Sequence, residues 1–350
     1  MSRKIAVFVF VLAMAAVCLG GEVARSGYKV LPPISRGSLT IFPVAAAGAH
    51  DTSEFLTLDE GLRSGEVMVT EAGRIPPLVR RGPRPIPQAG GQVNRLVLVN
   101  NSHRPLLLLA GEIVTGGKQD RVIGKDRIVP AHSDAVDLSV FCIEPGRWTE
   151  TSAHFKSMGA QMAQPSVRRK AMADKDQQAV WDSARASQEA AVAAAPGAAG
   201  ALGGTSSYAT VMDNAAVQKQ VDRIAAPAGD YQSLIRELRA RRAVGVVAAV
   251  NGEIVWADIF ASGSLLEKYW PKLVRSYAAE ALLAHAGRRS PSVAAAQDFL
   301  DDMDGRRQVS EVEPGVYRHT EITGDGYKVF ELTSLLPKTG FDVHIAKAAE

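Results

Sequence analysis

Cysteine is nearly absent from this chain of 350 residues, which carries only Cys18 and Cys142. A disulfide framework is thereby excluded, and a chain of this length must be held by apolar burial in one large domain or two ordinary ones. Cys142 lies inside the run VFCIE, where a buried inert thiol is favoured over a nucleophile. An excess of one charge is missing too. The net charge is +3, and basic residues are scattered apart from short clusters at Arg80–Arg81, Arg168–Lys170 and Arg239–Arg242. There is no electrostatic case for a nucleic-acid partner. Hydrophobic residues make up 46% and charged residues 22%, shares that exclude wholesale disorder.

The longest unbroken apolar run is confined to the N-terminus. Arg3 and Lys4 precede the apolar residues Ile5 to Val17, and Gly20 and Gly21 follow. Positive, apolar, then small is the order of a secretory signal, and the run falls short of the roughly 20 residues a spanning helix needs. The expected product is exported, periplasmic or extracellular, with cleavage after Gly20 and no membrane span thereafter. An uncleaved anchor, a buried N-terminal helix and lipidation at Cys18 are the alternatives.

Catalytic signatures are also lacking. The histidines, His50, His103, His132, His154, His285, His319 and His344, form no HxH or HExxH and sit beside no cysteine pair. No metal is expected, the one set weighed being His132 with Asp134 and Asp137. G-x-S-x-G, a Cys–His signature and the P-loop spacing are all absent. No cofactor is expected.

What the chain does contain is a change of pattern near residue 150. From 39 to 150 short apolar runs alternate with Gly- and Pro-marked turns, which predicts a β-rich domain, sandwich or barrel-like. Leu39–Val44 reads as a first strand after a flexible lead-in at 21–38. Thr57 and Glu60 have the spacing of a capping box, with Gly65 placed to end a helix at 58–64. The proline-rich stretch 74–92 reads as a loop. Residues 151–207 read as a long surface helix, Gln164–Ala195, followed by a low-complexity connector. The half at 208–350 reads as α+β. It has helices at 208–225, from Asp230 to about Arg242, from Ser264 with Glu267 as a second capping box, and at 292–302. A hairpin turns at Asn251-Gly252 and another at Asp325-Gly326. The fold class expected is α+β, a β-rich N-terminal domain followed by a helix-rich half with a small antiparallel sheet.

The polar residues that can carry chemistry collect between Leu106 and Trp148. In Gly116-Gly117-Lys118-Gln119-Asp120-Arg121, glycines let backbone N–H groups approach a ligand, and Lys and Arg bind carboxylate or phosphate. The bland reading is a turn with solvated charges. Glu144-Pro145-Gly146-Arg147-Trp148 ends an apolar run, and its arginine can pair with Glu112 or Glu144 and stack on Trp148. If both motifs lie at one end of the β-domain, Glu112, Lys118, Gln119, Arg121, Glu144 and Arg147 line one polar pocket, with Gly116, Gly117, Asp120 and Trp148 around it. Glu112 and Glu144 are the candidate acid and base, since neighbouring carboxylates push their pKa values apart.

The series TLDEG at 57–61, GEV at 65–67, LVLVNNS at 96–102, LAGEIVTGGKQDRV at 109–122, VFCIEPGRW at 140–148 and GVVAAVNGEIVWADIF at 245–260 resembles the ARG- and rhodanese-phosphatase-superfamily-associated protein domain. The resemblance spans about 39 to 340. It implies a link to ADP-ribosylglycohydrolase and phosphatase-type proteins, and through them to ADP-ribose or NAD-derived metabolites. Family alone does not establish an activity. Three expectations stand: a module binding a small polar, anionic ligand; a hydrolase of a nucleotide- or sugar-derived substrate; or an envelope interaction domain whose helix at 164–195 meets a protein partner.

Overall fold

Thr57 accepts a hydrogen bond from the Glu60 amide while the Glu60 carboxylate accepts one from the Thr57 amide, and Gly65, at φ 75°, closes the helix between them. That reciprocal cap is local chemistry. The rest of the fold is built from long-range pairing. The computed structural model describes residues 27–72, 95–147, 149–226, 231–283 and 290–350. The signal segment expected at 1–20, the loop expected at 74–92, the cap expected at Asp230, and Trp148 lie outside the described residues.

In chain order the strands are β1 (Tyr28–Val30), β2 (Ile34–Arg36), β3 (Leu39–Ala46), β4 (Leu56–Thr57), β5 (Val67–Glu71), β6 (Arg95–Asn100), β7 (Leu106–Leu108), β8 (Glu112–Thr115), β9 (Arg121–Ile123), β10 (Arg127–Val129), β11 (Val136–Cys142), β12 (Lys156–Met162), β13 (Ala243–Val250), β14 (Glu253–Phe260), β15 (Arg306–Glu313), β16 (Tyr317–Thr323), β17 (Tyr327–Ser334) and β18 (Asp342–Ala349). The α-helices are α1 (Leu58–Ser64), α2 (Pro165–Arg169), α3 (Gln177–Ala194), α4 (Ala199–Leu202), α5 (Tyr208–Asp213), α6 (Ala215–Ala225), α7 (Tyr231–Ala240), α8 (Gly263–Leu283) and α9 (Val293–Asp301). The mixture is α+β with a strand-rich N-terminal region.

Among the described residues the strands form three sheets. One has nine strands in the order β1-β3-β13-β14-β18-β17-β16-β15, with β2 also paired to β3. A six-stranded sheet runs β12-β8-β9-β11-β6-β5, and a small one runs β10-β7-β4. The outer strands of the six-stranded sheet touch through a bridge between Thr70 and His154 and through the Phe155 amide, which donates to the Val69 carbonyl at 3.0 Å. The sheet therefore curls back on itself.

β3 crosses the boundary expected at 150. It lies between β1 and β13 in the large sheet, pairing Val44 with Gly245 and Phe42 with Val247. Its apolar residues explain why: Leu39 and Ile41 enter one core cluster, Phe42 and Val44 another. A strand apolar on both faces suits the interior of a sheet covered on both sides.

Residues 28–36 of the expected lead-in form β1 and β2, and the unforeseen β12 and β18 complete the sheets. The helix expected over 164–195 is interrupted. α2 passes into a π-helical turn at Lys170–Asp174, Lys175 adopts φ 53°, and Asp176 caps α3 anew through the Ala179 amide. The apolar stripe of α3, with Val180, Ala184 and Ala191, is buried in the main core. The helix expected over 208–225 divides at Asn214, whose side chain accepts from the Ala216 amide and starts α6, the local competition that makes Asn a capping residue.

α8 lies between the sheets, against β12 and β13, with Leu265, Trp270, Leu273 and Tyr277 buried. Ser262 rather than Ser264 caps it, accepting from the Leu265 amide at 3.1 Å. Glu267 pairs with Arg239 instead of closing a box. The Asn251-Gly252 hairpin forms with φ of 51° and 86° at the two turn residues, the positive angles that tight turn requires.

Candidate functional site

The two polar turns meet. The loop from Gly116 to Asp120 joins β8 to β9, and the turn from Glu144 to Arg147 follows β11, the strand that pairs with β9. Arg147 is the clasp: its guanidinium lies 2.6 Å from Glu144 and 3.3 Å from Asp120, and it donates to the Gly117 carbonyl at 3.0 Å. Glu144 also accepts from the Asp120 amide at 3.2 Å, and Asp120 accepts from the Gly116 amide at 3.1 Å and the Ser207 hydroxyl at 3.0 Å. Burial, reinforced by Asp120 and opposed by Arg147, holds the Glu144 carboxyl above the usual carboxylate range.

The glycines have a packing reason. A Cβ on Gly116 would lie 2.5 Å from the Ser152 hydroxyl, and one on Gly117 would lie 2.4 Å from the Phe155 ring, with φ positive at both. Their amides and that of Lys118 bond to Asp120, Ser152 and Glu71. The turn thus uses these three backbone donors internally, and ligand contact falls to side chains. The Lys118 side chain is exposed, whereas Arg121 is fully buried, with its guanidinium on the Asp120 carbonyl at 3.3 Å. Burial lowers the Arg121 pKa, against the pull of Cys142, Glu71 and Asp120. Gln119 is 0% exposed, and neither its amide nitrogen nor its amide oxygen has a partner among the described residues. An orphaned buried amide is costly unless something not of the chain completes it.

Glu112 stands apart from this cluster. It is sealed at the far end of β8, 2.6 Å from Lys272 of α8, which also lies 2.8 Å from Asp59 of α1. Burial alone would lower the Lys272 pKa, but the two carboxylates raise it. This triad joins α1, β8 and α8; Glu112 and Lys272 are buried, and Asp59 reaches the surface in a separate cleft of about 530 Å³. Asp137 is likewise engaged, with Arg95, and His132 faces His103 rather than the aspartates.

Beside the clasp a cleft of about 570 Å³ opens between α3 and the α4–α5 segment, with Pro145 of the second turn in its wall. Arg185, Gln188, Glu189 and Ser206 supply polar groups, and Trp181, Val192 and Leu202 apolar surface. The indole N–H of Trp181 has no partner among the described residues. An apolar wall with a few convergent polar groups is the usual form of a small-molecule site.

The profile described as ARG and Rhodanese-Phosphatase-superfamily-associated Protein domain matches residues 27–345. The chain belongs to that family. No curated protein and no solved structure matches it.

In this member of the family a buried polar network that no sequence spacing announces joins Arg168, Asp258, Asp126, His344 and Tyr277. Arg168 makes two contacts of 3.0 Å with Asp258 and donates to the Ala110 carbonyl. His344 lies between Asp126, at 2.6 Å, and Asp258, at 3.1 Å, and the Tyr277 hydroxyl also donates to Asp258. Burial disfavours the charged aspartates, but Arg168 and His344 draw Asp258 well below the carboxylate range, and His344 lowers Asp126. Asp126 and Asp258 are 132 positions apart in sequence, so no spacing rule could have joined them. None of these side chains reaches solvent, so the network holds elements together and takes no part in the open cleft.

Proposed function

We propose that this chain is an exported module that binds a small polar ligand bearing an anionic group, in the cleft beside the two joined turns. One observation carries the reading. Arg147 holds both turns and keeps 21% of its side chain exposed, two residues from the Pro145 wall of the cleft. Arg185, exposed on α3, supplies a second cationic donor to the cleft. An anion at this rim would gain charge-assisted bonds from an arginine already oriented by Glu144 and Asp120. Export rests on the order of residues 3–21, and the family description makes ADP-ribose and related nucleotides the first ligands to try.

A thermal-shift screen against ADP-ribose, NAD, sugar phosphates and dicarboxylates tests the reading. A ligand that binds the folded chain at a hundred times its Kd should stabilise it by about 2.7 kcal/mol. Arg147→Lys and Arg185→Ala should each reduce that gain; no shift with any anion rejects the site. Fractionation tests export, since an unprocessed cytosolic product contradicts it.

Hydrolysis is a second reading, favoured by the Glu144 carboxyl, which burial raises and which accepts from the Asp120 amide in the joined turns; a raised carboxyl suits a general acid. Turnover of an ADP-ribose- or sugar-derived substrate that Glu144→Gln abolishes in a folded protein would support it. Activity that survives the substitution would eliminate it.

A further inference from the structure

Away from the cleft, two exposed histidines face one another across a pair of loops. Nε2 of His132, in the β10–β11 loop, lies 2.8 Å from Nδ1 of His103, in the β6–β7 loop, with the rings nearly perpendicular. We propose that His103 and His132 form a two-histidine site for a divalent transition metal of the imidazole-preferring class, Cu²⁺ or Ni²⁺ ahead of Zn²⁺.

The two loops are held rigidly by groups beneath the rings. The His132 amide donates to the Ser102 carbonyl at 3.0 Å and the Ser133 amide to the Asn100 carbonyl at 2.9 Å. The fully buried Asn100 side chain donates to the carbonyls of Arg104 and Pro130, at 2.8 and 2.9 Å, and accepts from the Ser102 hydroxyl at 2.7 Å. Arg104 in turn fixes its loop to the carbonyls of Ser53, Glu54 and Phe55. The frame positions both imidazoles without using either ring.

His132 also adopts φ 50°, a left-handed conformation that costs a non-glycine residue free energy and persists only where the surroundings impose it. The Ser102 and Asn100 bonds on either side of it impose that backbone, and the outcome is a ring aimed at His103. For a bond between two exposed side chains, little would be gained by such an arrangement, because water serves each ring nitrogen nearly as well.

The separation selects among metals. With metal–nitrogen bonds of about 2.0 Å, two ligands at a right angle are about 2.8 Å apart, and two at the tetrahedral angle about 3.3 Å apart. The observed 2.8 Å matches adjacent positions of a tetragonal or octahedral ion. Metal entry would break this hydrogen bond and rotate both exposed rings until their lone pairs converge on one point. No group of three or more His, Cys, Asp or Glu residues is placed to hold a metal among the described residues, so water or a ligand molecule would fill the remaining positions and the site would be open.

Calorimetric titration of the chelator-treated full chain with CuCl₂, NiCl₂ and ZnCl₂, each alone, tests the assignment. One Cu²⁺ or Ni²⁺ per chain is expected, at higher affinity than Zn²⁺. His103→Ala and His132→Ala should each weaken binding at least roughly tenfold, about 1.4 kcal/mol, with melting temperatures close to wild type. The Cu²⁺ electron paramagnetic resonance spectrum should show coupling to two imidazole nitrogens, and to one in either variant. Binding unchanged by both substitutions, or affinity no greater than that of the double variant, would overturn the proposal and leave a hydrogen bond between loops.

Discussion

Arg168 and Asp258 face each other through two parallel contacts of 3.0 Å, Nη1 to Oδ2 and Nη2 to Oδ1, and neither side chain reaches solvent. α2 is thereby fixed to β14 in the large sheet. Removing one partner leaves a buried charge uncompensated, which costs about 3–5 kcal/mol. Arg168→Met and Asp258→Asn should each lower the urea midpoint accordingly. A change below about 1 kcal/mol in either would show that the pair is relaxed by water or by movement of α2.

The same network sets the alkaline limb of stability. Burial alone would lower the His344 pKa, but Asp126 and Asp258 raise it to about 9, above the unfolded value of about 6.5. The folded state therefore binds this proton more tightly. Its contribution is complete below pH 6.5 and is lost as pH rises towards 9. Urea titrations at several pH values should show stability falling across that window in the wild type and a flatter profile in His344→Gln.

His319 acts in the opposite direction. Burial lowers its pKa to about 4, so the fold favours the neutral ring. Its contribution is present above the unfolded value of about 6.5 and is lost as pH falls through 4. Acid titration of His319→Gln should show a shallower loss over that interval; an unchanged acid limb would place the cause in other groups.

Gly111, between β7 and β8, has φ 93°, and a Cβ there would lie 2.5 Å from Cγ of Arg168. Gly111→Ala should therefore destabilise the chain by more than about 1 kcal/mol, through backbone strain and displacement of the arginine together. Equilibrium unfolding reads this directly.

Where one turn of chain decides the structure, the sequence was legible. Thr57 and Glu60 define α1, and Asn251-Gly252 defines the β13–β14 hairpin, because each depends on residues next to one another. The insertion of β3 between β1 and β13 was not, since an apolar strand carries no record of its partner some 200 residues away. The site divided in the same manner. GGKQDR and EPGR stood out by their density of charge, and Arg147 does bring them together; Glu112 belonged to the same stretch yet pairs with Lys272, 160 positions away. The cleft wall on α3 gave no signal, because Trp181 and Arg185 read as ordinary positions on a surface helix.

That separation of Glu112 from Arg147 can be measured. Lys272→Met should cost about 3–5 kcal/mol by leaving Glu112 unpaired in the core, while leaving the ligand response of the surviving fold intact. Arg147→Lys should do the reverse, keeping most of the stability and losing the response. If Lys272→Met abolished binding in a folded protein, the triad would belong to the site.

The central claim, that the joined turns and the α3 cleft form one ligand site, is tested most directly by hydrogen–deuterium exchange with and without ADP-ribose or whichever anion raises the melting temperature most. Slower exchange should be confined to residues 116–121, 144–147 and 181–192 and should vanish in Arg147→Lys. Protection elsewhere, or none at saturating ligand, would contradict it.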